Sequence, residues 1–258
     1  MAERLPLDSK VAVVTGAAGE IGSATTRLLA ERGARIVAVD RDADGLQRVV
    51  SDLPQSADAL AVTADVSREN DVAAYVKHAM DAAGRIDIFF NNAGIEGDIT
   101  PITSYPLETF RRVLDVNVVG VFLGLKHILP VMIAQNSGSI INTASIAGMT
   151  GTPHIAAYTA SKLAVIGLTR SAALECTQTK VRVNCVCPGL IDSRMLSTII
   201  TGRNGGKPMP TEKAVDRIPA RRLGLAKEVA AVVAFLASDD ASYVSGAAYP
   251  IDGGRTAG

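Results

Sequence analysis

The sequence predicts an α/β chain built on one doubly wound parallel sheet of about seven strands, with helices on both faces. Three observations carry that expectation. Short apolar runs alternate with helical patterns along all 258 residues, as strands covered on both faces require. A strand, a glycine turn, a helix and a second strand fit into about thirty residues ending at Asp40. The polar and glycine positions that draw attention, Gly16, Asp40, Asp65, Asn91, Ser145 and Pro188, all fall at the carboxyl ends of expected strands. Such sheets bind their ligands along that edge.

The first strand is the apolar run 10–15, K-V-A-V-V-T, followed by T-G-A-A-G-E-I-G and a helix with Ile21, Ala24, Leu28 and Leu29 on one stripe. Gly33 stops that helix, and A-R-I-V-A-V-D (34–40) is the second strand. A helix over 42–53 leads to a strand at 59–63 and the polar stop Asp65. Ser67 caps a helix running to Ala83, followed by a strand at 85–90 and the turn N-N-A-G. A long helix over about 107–135 precedes the strand 138–143, which ends near Ser145. The next helix carries Tyr158 to about Gln178, and the strand 181–187 ends in Pro188-Gly189. Residues 192–222, with G-R-N-G-G and three prolines, read as a looser substrate lid. A helix at 227–238 and a strand at 247–251 close the chain. No repeat, low-complexity tract or linker divides it, so residues 1–258 read as a single domain.

Composition narrows the function. Lys plus Arg and Asp plus Glu both number 26, the formal charge is zero, and no basic run marks a nucleic-acid or membrane surface. The apolar stretch 113–125 is interrupted by Asp115, Asn117 and glycine, short of a clean membrane span. The N-terminal M-A-E-R-L-P-L-D-S-K has no apolar segment of the kind a secretion signal needs. Three cysteines make no disulfide framework, and a reducing cytoplasm is the expected setting. Cys185 and Cys187 share a side of an apolar strand and read as buried. A metal pair would need further ligands, and His78, His127 and His154 are scattered, so no metal is expected.

Tyr158 and Lys162 lie four apart, on one helix face. A phenol titrates near pH 10, and a neighbouring cation pulls that value down towards the working range. Ser145 can offer its hydroxyl to the same oxygen, which makes a plausible proton-transfer site. Gly16, Gly19 and Gly22 form either a tight turn packed on the sheet or a cradle whose amides and helix dipole take a pyrophosphate. Asp40 can accept both ribose hydroxyls of an adenosine, or cap the helix that follows. Glu20 adds negative charge to that end and Arg41 a guanidinium that could take a 2′-phosphate; two carboxylates against one arginine favour NAD over NADP. Asp65, beside Val66, either bonds an adenine amino group or caps a helix. Asn117, apolar on both sides, either satisfies a helix kink or holds a water on a relay towards Lys162. His154 is either a surface loop residue or a substrate contact.

Together T-G-A-A-G-E-I-G, N-N-A-G, Asn117, Ser145, Y-T-A-S-K, P-G and the closing Y-P-I-D-G-G resemble the short-chain dehydrogenases/reductases over essentially the whole chain. The resemblance implies a Rossmann-type fold and hydride transfer between a nicotinamide cofactor and an alcohol or ketone. By motif, Tyr158 would be the acid/base, Lys162 would lower its pKa and hold the nicotinamide ribose, Ser145 would orient the substrate oxygen, and Asn117 would hold the relay water. Asn92, Ala93 and Gly94 would line the cofactor, and Ile21 sits within its turn. Pro188, Gly189, Ile191 and Ser193 would reach its nicotinamide end. Two positions depart from the family pattern: Glu20 stands where glycine is usual, and Ser193 where threonine is usual.

The substrate pocket is expected from 95–96, 146–148 with Ala147, His154, Leu190 and the lid 194–215 with Met195. Its apolar character fits a secondary alcohol or ketone, with cyclic and aromatic compounds among the candidates. N-N-A-G-I-E-G with T-P is similar to bacterial NAD-dependent cyclic-ketone reductases of the family. An NADP-dependent 3-oxoacyl (carrier-protein) reductase and a non-catalytic dinucleotide sensor are the alternatives. The family commonly forms homotetramers, with homodimers as the smaller option.

Overall fold

In the computed structural model, residues 6–55, 57–207 and 215–257 are described. Seven parallel strands make one sheet: β1 Val11–Thr15, β2 Arg35–Asp40, β3 Ala59–Thr63, β4 Ile88–Asn91, β5 Gly138–Thr143, β6 Val181–Pro188 and β7 Ala248–Ile251. Their spatial order is β3-β2-β1-β4-β5-β6-β7. The order reverses between β1 and β4, opening a crevice beyond their carboxyl ends. Register aligns those ends, with Thr15 beside Val39 and Asn91 beside Asn142.

Alternation along each strand feeds two core layers. Val13, Val37, Phe89 and Ile140 face helices α3 (Glu69–Ala83), α5 (Gly120–Gln135) and α6 (Ala156–Glu175), meeting Tyr75, Ile128 and Val165. Val14, Ile36, Phe90 and Ile141 face α1 (Glu20–Glu31) and α8 (Ala226–Ala237), meeting Leu29 and Val233. Cys176, Cys185 and Cys187 are buried and free.

Several local expectations are corrected. Helix α2 (Ala43–Ser51) is capped by Asp42, which accepts from Gly45 N, so Asp40 is not its cap. Ser67 does not cap α3: the N-cap is Arg68 without a side-chain bond, and the Ser67 hydroxyl donates to Asp65 instead. The helix expected at 107–135 runs as α4 (Leu107–Leu114), a π turn (Asp115–Val119) and α5, with Gly120 N donating to Asp115 O. By length and composition this stretch is apolar enough to cross a membrane, despite its interruptions. Here it packs inward, with Val121, Leu125, Ile128 and Met132 in the core. The looser 192–222 region holds a helix, α7 (Arg194–Arg203); 208–214 of the expected lid lie outside the described residues.

Candidate active site

The carboxyl edge of the sheet opens into a cleft of about 780 Å³. At its floor the turn after β1 is shaped by main chain. Gly16 has φ +65, and a Cβ there would press on the Ala93 backbone. On Gly22 a Cβ would overlap the Gly16 carbonyl. Gly19, the N-cap of α1, offers no side chain to the first amides of the helix, which leaves them for an anion. Ile21 lines the cleft behind them.

Asp40 holds this turn to the end of β2, accepting from Ala18 N at 2.9 Å and Asp42 N at 3.0 Å. Arg41 lies beside it on the cleft wall. Asp65 accepts from the Ser67 amide and hydroxyl, at 2.9 and 2.6 Å. Those bonds, with Arg68 and Arg41 nearby, hold its pKa low against the opposing effect of partial burial. Val66 packs against Gly120 and faces the same cleft. Asn92 ties strand ends together: it donates through Nδ2 to the Thr15 and Gly16 carbonyls and accepts from Thr143 Oγ1. Its amide therefore builds the wall, which continues through Ala93 and Gly94.

Glu20 lies elsewhere than the sequence reading placed it. Its Oε1 accepts from Arg194 N at 2.8 Å, the first amide of α7, 174 residues away. A carboxylate at a helix N-terminus is favourable, and here it fastens the phosphate-type turn to the lid helix. With Glu20 so engaged, Asp40 remains on the cleft wall beside Arg41.

Tyr158, Lys162 and Ser145 converge on one buried mouth. Lys162, 2% exposed, donates to Thr143 O at 2.7 Å, and its Nζ lies 5.6 Å from the Tyr158 ring centre. Burial pushes the ammonium down to about 8. The expected lowering of the phenol is not what the structure gives. Burial pushes Tyr158 up to about 12, a hydrogen bond with Ser145 works against that rise, and Glu96 adds to it. The lysine four residues on does not offset the desolvation of a fully buried phenol. Ser145 Oγ also accepts from Ala147 N at 3.1 Å and donates to Pro188 O at 3.4 Å.

Asn117 stands behind this mouth and does not line the cleft. Fully buried in the π turn, it donates to Ile95 O at 2.9 Å and Ser161 Oγ at 3.0 Å, and accepts from Ile95 N at 2.8 Å. Ser161 in turn donates to the Tyr158 carbonyl. Both amide protons are spent on protein, so the side chain is a clamp between the loop after β4 and the helix of Tyr158. A Cβ on Gly94 would come within 3.2 Å of Asn117 Oδ1 and 3.3 Å of Lys162 Nζ.

Beyond Tyr158, Ala147 and Ile155 form an apolar patch with Ile99, Met195 and Ile199 against it. Pro188, Gly189, Leu190, Ile191 and Ser193 continue the wall. The Ser193 hydroxyl caps α7, accepting from Leu196 N, and donates to Ile191 O. His154 is exposed with φ +68 and stands outside the cleft wall that its neighbours Pro153 and Ile155 join. Ile155 and Arg255 line the cleft and fall outside the sequence reading, whereas Ile199, Arg203 and Arg217 lie within its lid without being singled out. Ile199 and Arg203 follow Met195 at helical spacing.

The family model described as enoyl-(acyl carrier protein) reductase matches residues 16–256. Levodione reductase of Leifsonia aquatica is 41% identical over 252 residues, covering 96% of this chain and 94% of that protein. A crystal structure of a levodione reductase, 40% identical, superposes with a TM-score of 0.95 over 97% of this chain and 99% of that one. Cyclohexanol dehydrogenase of Acinetobacter sp. (strain SE19) is 38% identical, covering 96% of both chains. The NAD+-bound structure of a xylitol dehydrogenase gives a TM-score of 0.92 at 37% identity, over 96% of this chain and 99% of that one. The chain belongs to the short-chain dehydrogenase/reductase family and is an oxidoreductase of that family.

Proposed function

We propose that this protein is an NAD-dependent dehydrogenase of secondary alcohols, acting on cyclic alcohols and their ketones, with Tyr158 as the acid/base. One observation carries the reading: Tyr158, Ser145 and Lys162 meet in a buried mouth at the end of a cleft whose floor is a glycine cradle. The cradle fits a dinucleotide, since Gly16 and Gly22 let the turn pack tightly on its own backbone and Gly19 leaves the first amides of α1 uncapped. The free amides of α1 would hold the pyrophosphate, Asp40 the adenosine ribose, Asp65 and Val66 the adenine edge, and Lys162 the nicotinamide ribose. Pro188, Gly189, Ile191 and Ser193 would flank the nicotinamide.

The nicotinamide, when bound, accepts or returns the hydride. Everything else belongs to the chain. Ser145 orients the alcohol oxygen, and the Tyr158 oxygen takes the hydroxyl proton as the carbinol hydrogen leaves with its electron pair. In the reverse direction the phenol returns that proton to the ketone oxygen. The Lys162 ammonium, 5.6 Å from the Tyr158 ring centre, favours the phenolate as the proton moves. Asn117 fixes the loop and helix between which these groups sit. The names of the relatives, cyclohexanol dehydrogenase and levodione reductase, support a ring-bearing substrate.

Asp40, on the adenosine side, supports NAD, because a carboxylate there repels a 2′-phosphate. Arg41 is the observation that favours NADP. Initial rates with cyclohexanol and each coenzyme decide it: reduction of NAD at least tenfold faster than of NADP is expected, and the opposite ranking overturns the coenzyme assignment. No reduction with any of a panel of secondary alcohols would leave the non-catalytic sensor standing. Three buried free cysteines suit a cytoplasmic setting. Exposed Phe122, Ile133, Leu163 and Leu174 on α5 and α6 suit burial in a homotetramer.

A further inference from the structure

The substrate end of the cleft carries a charge pattern that an alcohol alone does not use. Helix α7 presents Met195, Ile199 and Arg203 at spacings of four, so the three share a face, and all three line the cleft. Met195 and Ile199 meet the apolar patch beside Tyr158. Arg203 follows one turn further along, about 6 Å beyond Ile199 at the helical rise.

Arg203 is anchored there through Nη2, which donates to the Pro153 carbonyl at 2.9 Å. That partner is neutral and uses one of the five donors a guanidinium carries. Arg255, in the segment after β7, also lines the cleft, as does Arg217. Desolvation lowers the pKa of Arg203, and the positive charge of Arg255 lowers it further. Among the described residues, no carboxylate forms an ion pair with Arg203, Arg217 or Arg255. Arg194, at the other end of the same helix, is balanced by Glu96 at 3.5 Å. Like charges brought together without a counter-charge cost free energy, and an anion seated between them offsets that cost. Guanidinium forks match the two oxygens of a carboxylate.

We propose that the outer end of the cleft is a carboxylate subsite formed by Arg203 and Arg255, with Arg217 at its rim, and that the preferred substrate is a hydroxy acid. Resting on the dehydrogenase reading above, this adds the substrate's second functional group. The apolar patch of Ala147, Ile155, Met195 and Ile199 beside Tyr158 would take the substrate's hydrocarbon part.

Steady-state rates with the coenzyme that supports turnover, using cyclohexanol and 4-hydroxycyclohexanecarboxylate as a matched pair, test it. The acid is expected to give a kcat/KM at least tenfold above the neutral alcohol, with the advantage shrinking as salt is raised. Arg203→Ala and Arg255→Ala should each reduce kcat/KM for the acid at least tenfold more than for cyclohexanol, and Arg255→Lys should recover part of the loss. Turnover of cyclohexanol with no preference for the acid, or equal losses on both substrates, would overturn the subsite while leaving the dehydrogenase reading intact. If neither these two nor any other secondary alcohol of the panel is turned over with either coenzyme, the dehydrogenase reading fails. Thermal stabilisation by cyclohexanecarboxylate, abolished in both alanine variants, would then uphold the subsite, and its absence would refute it.

Discussion

The floor of the cleft around Gly16 and Asn92 is held by main chain and by short polar side chains rooted in strand ends. Thr15, Asn92 and Thr143 bond one another across β1, β4 and β5, and strand register leaves them little freedom. The substrate end around α7 is held by long side chains reaching across sequence: Glu20 to Arg194 N, Arg194 to Glu96, Arg203 to Pro153 O. A strand edge fixes position through a cooperative ladder, whereas a few side-chain contacts fix it locally and can be changed one at a time. The proposed dinucleotide half is therefore held constant by the sheet, whereas the proposed substrate half can be altered contact by contact.

That contrast can be broken or sharpened by substitution. The largest effect is expected at Lys162, a buried charge on the constant side. Its folded pKa of about 8 lies below the ordinary 10.5, so the unfolded chain holds more protons between those values. The stability tied to this group is present above pH 10.5 and lost as pH falls through 8. Unfolding free energies of Lys162→Met and the parent, followed from pH 7.5 to 10.5, should change relative to each other by about 3 kcal/mol, the parent gaining with pH. A difference that stays flat contradicts the buried ammonium. Asn117→Ala removes the clamp between the loop after β4 and the helix of Tyr158 and leaves the Ile95 backbone groups unpaired, which should cost about 2 kcal/mol in urea unfolding. A loss below about 0.5 kcal/mol would show that the clamp is dispensable. The smallest effect is expected at Glu20→Ala, which frees the first amide of α7. The alcohol KM should rise about three- to fivefold, matching a surface bond of under about 1 kcal/mol, and more than the coenzyme Kd does. A larger change in coenzyme affinity would return Glu20 to the dinucleotide half.

The same division governs what the sequence disclosed. Buried parallel strands read as unbroken apolar runs, so the sheet was legible, as were the glycines whose conformations it demands. Helix α7 was not legible because R-M-L-S-T-I-I-T-G-R mixes Ser, Thr, Ile and Gly, weak helix formers, and its cap Ser193 reads equally as a loop residue. The π turn adds one residue to a helix without altering its composition, and only the misplaced polarity of Asn117 pointed to it. The Glu20–Arg194 bond and the shared cleft of Arg203 and Arg255 bring together distant positions, which no local pattern encodes. The spacing of Tyr158 and Lys162 showed that they neighbour each other, but not that burial would raise the phenol to about 12.

The central claim is that the Tyr158 phenol moves the proton. Tyr158→Phe removes one oxygen from a buried ring and leaves the cradle, Lys162 and the fold in place. With coenzyme Kd measured beside kcat on the same alcohol, this variant should bind within about twofold of the parent and lose about 10²–10⁴-fold in kcat, the range general acid–base catalysis supplies. A kcat within tenfold of the parent, at intact coenzyme binding, would contradict it.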